Sequence, residues 1–371
     1  MMQNQTETIA ELLLAWFDQN ARILPWREDA SPYRVWISEI MLQQTRVEAV
    51  KPYFERFIRT FPTVRMLAEA EEEYLLKMWE GLGYYNRARN LQKSAQIIVR
   101  DHCEEIPSDQ DTLLKLPGIG SYTAGAVASI AYQKPVPAVD GNVMRVITRI
   151  LEEDGNILDK KIHRKIEVFV TKMMPHDRPG DFNQALMELG ATVCVPNGAP
   201  KCERCPLQKL CRVCEHANWD IIPFKEKKKP RKIEKKTLLI IQNENGIVLR
   251  KRPDSGLLAG MYEFPMLEGP ASEEDVLDFT RQIGFLPVQI RPLENSKHIF
   301  THLEWQMEAY LVRIEDPAFS GEKERLGSYL LLEKNETERK YPIPSAFKAY
   351  TKYLKMKLGN ELFPVPEQEK T

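Results

Sequence analysis

The hydrophobic period of this chain changes once, and the change limits what it can fold into. Up to residue 224 apolar residues recur at helical spacing. Ile9, Leu12, Leu13, Trp16 and Phe17 share one face of 8–20, and similar patterns return at 33–49, 86–102, 121–132, 141–151, 162–174 and 181–192. After residue 236 the period becomes that of strands. TLLIIQ and GIVLRKR flank Asn243-Glu244-Asn245-Gly246, whose Asn-Gly suits a hairpin, and HLEWQMEAYLVRI alternates at its start. Between them, 272–283 predicts a helix capped by Ser272, with Glu273, Glu274 and Asp275 in its first turn. The expected fold class is multi-domain, α + α/β. An all-α domain occupies 1–224, a linker 225–236, an α/β domain 237–357 and a tail 358–371.

A length of 371 residues suits two or three packed units. With 43% hydrophobic and 28% charged residues, the composition excludes disordered, collagen-like and disulfide-scaffold classes. No apolar run approaches the roughly 18 residues of a membrane span. The N-terminus carries neither a signal-peptide nor a transit-peptide pattern, so a cytoplasmic location is expected. Fifty-two Lys and Arg against 53 Asp and Glu leave a formal charge of −1, which argues mildly against a nucleic-acid partner. That average hides the run KEKKKPRKIEKK at 225–236, with eight basic and two acidic residues and Pro230 inside. It reads as an exposed linker, either a solvated tether or a strap that contacts phosphates.

Five of the six cysteines fall within 21 residues: Cys194, Cys202, Cys205, Cys211 and Cys214; Cys103 stands apart. A cytosolic context disfavours disulfides. Cys202/Cys205 with Cys211/Cys214 would supply the two close pairs of a zinc site. Cys194-x7-Cys202-x2-Cys205-x5-Cys211 would instead wrap an iron–sulfur cube. Spacing alone leaves both open. Upstream, in LLKLPGIGSYTAGAVASIAY, Gly118 and Gly120 let a backbone turn expose N–H groups at a helix N-terminus, where a phosphate can sit. About twenty residues on, Val139-Asp140-Gly141-Asn142 puts a carboxylate just ahead of the next helix.

Together with LPWR at 24–27, WISEIMLQQTRV at 36–47, GLGYYNRARNL at 81–91, FNQALMELGATVC at 182–194 and CERCPLQKLC at 202–211, these blocks resemble the helix-hairpin-helix DNA glycosylases with a C-terminal iron–sulfur loop. Within that family they resemble the MutY-type adenine glycosylases. The C-terminal part is similar to the family's Nudix-like lesion-reading domain through GLLAGMYEFP at 256–265, FTHLEW at 300–305 and YPIPSAFKAY at 341–350.

The resemblance implies that Glu39 is a general acid and Asp140 the carboxylate beside the sugar. That pairing suits N-glycosidic cleavage, which needs a proton on the departing purine and a negative charge near an oxocarbenium-like sugar. For that division Glu39 should have a raised pKa and Asp140 should stay ionised. Tyr122 stands where bifunctional relatives of the endonuclease III type carry a nucleophilic lysine. The implied reaction is therefore base removal by water, with Tyr122 and Asn142 positioning sugar and water; a bifunctional glycosylase/lyase is the alternative.

The substrate implied is double-stranded DNA bearing adenine opposite 8-oxoguanine or guanine, bound by a monomer with no membrane role, the adenine being flipped out. Gln44 and Tyr84 would be wedges with Thr45 and Leu82 beside them, and Gln184 would read the adenine. Arg22, Trp26 and Arg27 would line its pocket, while Gly118 and Gly120, in a helix-hairpin-helix at about 111–132, would hold the backbone. Phe300-Thr301-His302 replaces the family's Phe-Ser-His lesion loop. A [4Fe-4S] cluster would take Cys194, Cys202, Cys205 and Cys211 in a loop at 194–211, one residue longer than usual before Cys202, with Cys214 as a spare. On the Nudix signature, Arg281 and Gln282 fall where paired metal-binding glutamates belong and only Asp278 is acidic, so the second domain is expected to read rather than hydrolyse.

Overall fold

A computed structural model describes residues 2–226, 230–315, 325–326 and 328–362. The chain separates into two compact units, one formed by Met1–Glu69 with Asn90–Lys228, the other by Ala70–Arg89 with Lys229–Thr371. Lys227, Lys228 and Lys229, at the heart of the basic run, lie outside the described residues.

The first unit is helical. Leu13 and Phe17 of helix Met2–Asn20 interlock with Val143 and Ile147 of Gly141–Leu151, Ile166 and Val170 of Lys160–Met173, and Phe182 and Leu186 of Pro179–Thr192. Each such side chain contributes on the order of 2 kcal/mol through burial. Helix Pro179–Thr192 approaches Gly141–Leu151 at Gly190, where a Cβ would lie 2.6 Å from Asn142 Cβ. Only glycine permits that approach without a shift of the two helices.

Apolar spacing at 33–49 predicts one helix, and the structure corrects this to two, Pro32–Leu42 and Val47–Thr60, separated by a turn in which Gln44 has φ 59°. Both helices bury apolar faces, so the spacing runs on across the break. The hairpin segment is helical over Ser121–Ala126 and continues as a π turn, Val127–Ala131.

Among the described residues of the second unit eight strands form one sheet: β1 (Lys232–Gln242), β2 (Gly246–Lys251), β3 (Tyr262–Glu263), β4 (Met266–Glu268), β5 (Pro287–Ile299), β6 (Leu303–Ile314), β7 (Arg325–Leu326) and β8 (Tyr329–Glu333). The order is β5-β6-β1-β2-β8-β7, with β3 beside β2 and β4 beside β1; the β1–β6 pair is parallel. The Asn243–Gly246 turn is a hairpin, its Asn243 Oδ1 accepting from the N–H of Gly246 at 2.6 Å and of Asn245 at 3.1 Å. Strand β1 is apolar without alternation because both faces are covered. Leu238 and Ile240 meet Trp305, Met307 and Phe347, while Leu239 and Ile241 meet Val276 and Phe285. Helix Glu273–Gln282 starts at a capping box in which Ser272 and Asp275 bond reciprocally.

Three boundaries differ from the sequence expectation. Residues 70–89 belong with the second unit rather than with the helical domain, residues 232–236 are strand rather than linker, and Leu358 is buried in the second unit's core rather than starting a tail. Packing across hundreds of residues decides the first and third, and no local pattern carries that information. No described helix is long and apolar enough to cross a membrane.

Candidate active site

Helix Pro32–Leu42 buries Val35, Trp36, Ile37, Ile40 and Met41, and this carries Glu39 inward to 5% exposure. Tyr122, in the first turn of Ser121–Ala126, donates its phenolic hydrogen to Glu39 Oε2. Asp140 is the N-cap of Gly141–Leu151. Its Oδ1 accepts from Val143 N–H at 2.7 Å and its Oδ2 from Asn142 Nδ2 at 2.7 Å. These four groups line a cavity of about 490 Å³, together with Arg22, Trp26, Arg27, Gln44, Thr45 and Gln184. Ten of the expected site residues, drawn from distant parts of the chain, thus share one space.

The cavity's electrostatics follow from desolvation. Burial pushes the Glu39 carboxyl up to about 7; the Tyr122 hydrogen bond opposes this, the Asp140 charge adds to it and Arg27 lowers it. Asp140 is also raised by burial, against the Val143 N–H, the Asn142 amide and the Arg145 charge. More donors therefore face Asp140 than Glu39, and the anion is better supported at Asp140.

Two residues absent from the sequence expectation organise the rest. Glu188, one helical turn after Gln184, is buried and accepts from Arg22 Nε at 2.5 Å and Arg27 Nη2 at 2.9 Å. Burial raises its carboxyl, but the two arginines overcome that and hold it below the usual range. Arg27 Nε also donates to Gln184 Oε1 at 2.9 Å, which leaves the amide NH2 of Gln184 as the donor end. The i, i+4 spacing of Gln184 and Glu188 was the available signal. Arg145 donates to Asn142 Oδ1 at 2.9 Å, Gly190 O at 2.8 Å and Cys194 O at 2.8 Å, tying the Asp140 cap to the cysteine loop.

That loop is built from two short 3-10 turns, Cys202–Arg204 and Gln208–Leu210, and a helix, Arg212–His216, with Leu207 buried beneath. Burial and then the neighbouring Cys214, Cys211 and Cys194 push the Cys202 thiol up to about 11, and Cys205 is raised by burial to about 12. Arg149 Nη1 stands 3.3 Å from Cys194 Sγ, a cation placed to stabilise a thiolate. Among the described residues no three His, Cys, Asp or Glu side chains gather tightly enough for a single metal ion. The donor set, five thiols in one loop with a cation beside one of them, is chemically compatible with thiolate ligation of an iron–sulfur cluster.

The hairpin glycines differ. Gly118 has φ 79°, and a Cβ there would sit 2.7 Å from Asn90 Cβ; Gly120 is extended, with nothing within 4 Å of its added Cβ. Gly118 is needed by the fold, whereas the space at Gly120 is open.

In the second unit Phe300 packs edge-on against His298 and Trp305, with ring centroids 4.7 and 4.9 Å apart, leaving Thr301 and His302 exposed at the β5–β6 turn. Thr301 Oγ1 lies 3.4 Å from Tyr84 OH. Tyr84 is 47% exposed with φ 49°, while Leu82 is buried. On helix Glu273–Gln282, Arg281 is paired with Asp278 at 2.7 Å, so the one carboxylate left from a metal-binding pattern already faces a guanidinium.

Residues 37–172 match the HhH-GPD superfamily base excision DNA repair protein family, and residues 236–353 the NUDIX domain family. An adenine DNA glycosylase of Buchnera aphidicola is 36% identical over 82% of this chain and 86% of its own length. The chain belongs to the adenine DNA glycosylases. The mouse adenine DNA glycosylase is 34% identical over 82% of this chain and 70% of its own length. A solved thermostable thymine-DNA glycosylase covers 58% of this chain and 100% of its own, at 29% identity and a TM-score of 0.53. The expected fold, a helix-hairpin-helix glycosylase unit followed by a Nudix-like one, is the fold observed, and this adenine glycosylase is a base-excision repair enzyme that hydrolyses N-glycosyl bonds in DNA.

Glu39 has a folded pKa raised above its ordinary 4.5, so its favourable contribution is complete below 4.5 and is lost as pH rises through about 7. Glu39→Gln is therefore expected to gain stability relative to wild type between pH 5 and pH 9, by up to about 3 kcal/mol in urea unfolding; an equal offset at both pH values refutes the assignment. Gly118→Ala should lose at least about 1 kcal/mol of stability. Gly120→Ala should unfold like wild type yet bind duplex DNA more weakly, which thermal melts and anisotropy titrations check.

Proposed function

We propose that this glycosylase removes adenine paired with 8-oxoguanine or guanine, using water and leaving the strand intact. The observation that carries the reading is the hydrogen bond from Tyr122 to a buried, protonatable Glu39 in the same cavity as the capped Asp140. A carboxyl raised to about 7 is an acid at neutral pH. It gives its proton to the purine as the C1′–N9 bond breaks and the bonding electrons leave with adenine. Asp140, with its donors from Val143 and Asn142, balances the positive charge that develops on the sugar. Water then attacks C1′ and returns a proton to Glu39. Tyr122 is no amine, and burial first and the Glu39 charge second hold its phenol well above the ordinary value, so it positions rather than attacks.

Arg22, Trp26, Arg27 and Gln184 take the flipped adenine, with the Gln184 amide donating to a ring nitrogen. Gln44, Thr45, Leu82 and Tyr84 fill the gap left in the duplex, and the hairpin around Gly118 and Gly120 holds the backbone through N–H groups. Left-handed backbone at Gln44 and Tyr84 supports the wedge role, since such strain collects at functional turns. Phe300, Thr301 and His302 read the opposing 8-oxoguanine; the exposed Thr301 and His302 tips support this. Cys194, Cys202, Cys205 and Cys211 hold a [4Fe-4S] cluster, with Cys214 adjacent. A cluster held there would supply a cross-link between the four thiolates and so rigidity to the loop. Arg149 and Arg145 fasten that loop to the helix that presents Asp140.

Duplexes with 8-oxoG:A, G:A or thymine glycol test the reading. Adenine-containing strands are expected to break only after alkali, 8-oxoG:A faster than G:A, with the difference reduced in Thr301→Ala; breakage without alkali overturns it. Elemental analysis of the purified protein is expected to find iron without zinc, together with brown visible absorbance, and zinc alone would return the loop to a zinc site.

A further inference from the structure

Helix Glu72–Met78 and the turn after it carry an ion pair that the reaction does not use. Lys77 and Glu80 are both 0% exposed. Lys77 Nζ donates to the two Glu80 oxygens at 2.9 Å and to Tyr341 O at 3.2 Å. Glu80 also accepts the backbone N–H of Ile343 at 2.7 Å and of Gly359 at 2.8 Å. Three separate backbone points near the C-terminus therefore close on one pair of side chains more than 250 positions away. A buried pair gains little over apolar side chains of equal volume, and its best-attested use is to specify one geometry.

The geometry here runs by two routes to the lesion loop. Along the chain, Glu80 leads into Gly81-Leu82-Gly83-Tyr84, a tight turn with positive φ at Gly81, Gly83 and Tyr84. Trp79 Nε1 donates to Gly83 O at 3.2 Å, and Arg87 Nη2 donates to Leu82 O and Gly83 O at 3.1 Å. Tyr84 is thereby held as the turn's exposed apex. Through the core, Tyr341 and Ile343 pack with Phe347, whose ring lies 6.3 Å from Trp305, itself 4.9 Å from Phe300. Phe300 precedes Thr301. The two routes end at the same place, where the Tyr84 and Thr301 hydroxyls meet.

We propose that Lys77 and Glu80 are specificity-determining positioning residues, whose buried pair sets the spacing between Tyr84 and Thr301 and so the discrimination between 8-oxoguanine and guanine. The inference rests on the lesion-reading role of Thr301 proposed above. The test is single-turnover adenine release from 8-oxoG:A and G:A by full-length, metal-replete protein. Glu80→Gln, which keeps shape and one acceptor, is compared with Lys77→Met/Glu80→Leu, which removes both charges and leaves an apolar core able to fold, each with its thermal melt. Both are expected to slow 8-oxoG:A cleavage about tenfold and G:A cleavage less than about twofold, the size expected when one hydrogen bond is lost from the discrimination. In a Thr301→Ala background neither should lower the 8-oxoG:A preference further, because the pair acts through that contact. If Thr301→Ala reduces the preference but the Lys77 and Glu80 variants leave it intact, or reduce it additively with Thr301→Ala, the positioning role fails alone. If Thr301→Ala leaves the preference unchanged, the lesion-reading assignment fails and this inference falls with it.

Discussion

Desolvation of two carboxyl groups in one cavity is the constraint from which the first unit's architecture follows. A buried carboxylate without donors costs several kcal/mol, so each must be neutralised or bonded. Glu39 meets the requirement by a shifted protonation and one phenolic hydrogen bond, Asp140 by the N–H groups of a helix start and the Asn142 amide. Those different solutions make one an acid and favour the other as an anion. Glu188 answers the same constraint by ion pairing, since Arg22 and Arg27 gather around its buried carboxylate. Arg145, bonded to Asn142 on one side and to Cys194 O on the other, makes the orientation of the Asp140 cap depend on how the cysteine loop is closed.

The second unit answers to the same constraint of burial around a central strand. Its central strand is covered on both faces, which leaves the β5–β6 turn free to project Thr301 and His302. A Nudix-type helix is present in position and capping, but Arg281 replaces a carboxylate and pairs with Asp278. The acidic residues of its first turn do not stand at those positions, and Val276 packs the helix against the sheet. The segment 70–89 is held in this unit by several contacts, among them those of Glu73, Lys77 and Glu80, so a stretch that precedes the 111–132 hairpin in sequence presents its Tyr84 to a loop more than two hundred residues later.

Much of this was legible in the residues. Helical and strand periods separate the two kinds of structure, Ser272 and Asp140 announce helix starts, and the Asn-Gly pair announces a hairpin, because propensity, capping and turn chemistry act within a few residues. Glu39, Tyr122, Asp140 and Gln184 were nameable through the blocks that surround them. Glu188 was missed because a glutamate on an amphipathic helix is ordinarily solvated, and only the approach of Arg22 and Arg27 buries it. The single helix expected at 33–49 failed because apolar spacing cannot register one residue with positive φ.

Sequence by itself therefore determined the elements, the chemical types at the site and the order of the two kinds of domain, since each is set by interactions between near neighbours. Tertiary structure alone decided which segments share a core, that residues 70–89 join the C-terminal unit, and how far burial moves the Glu39 proton. Those outcomes depend on desolvation and on contacts between residues far apart in the chain, and desolvation exists only once the chain has closed around the group.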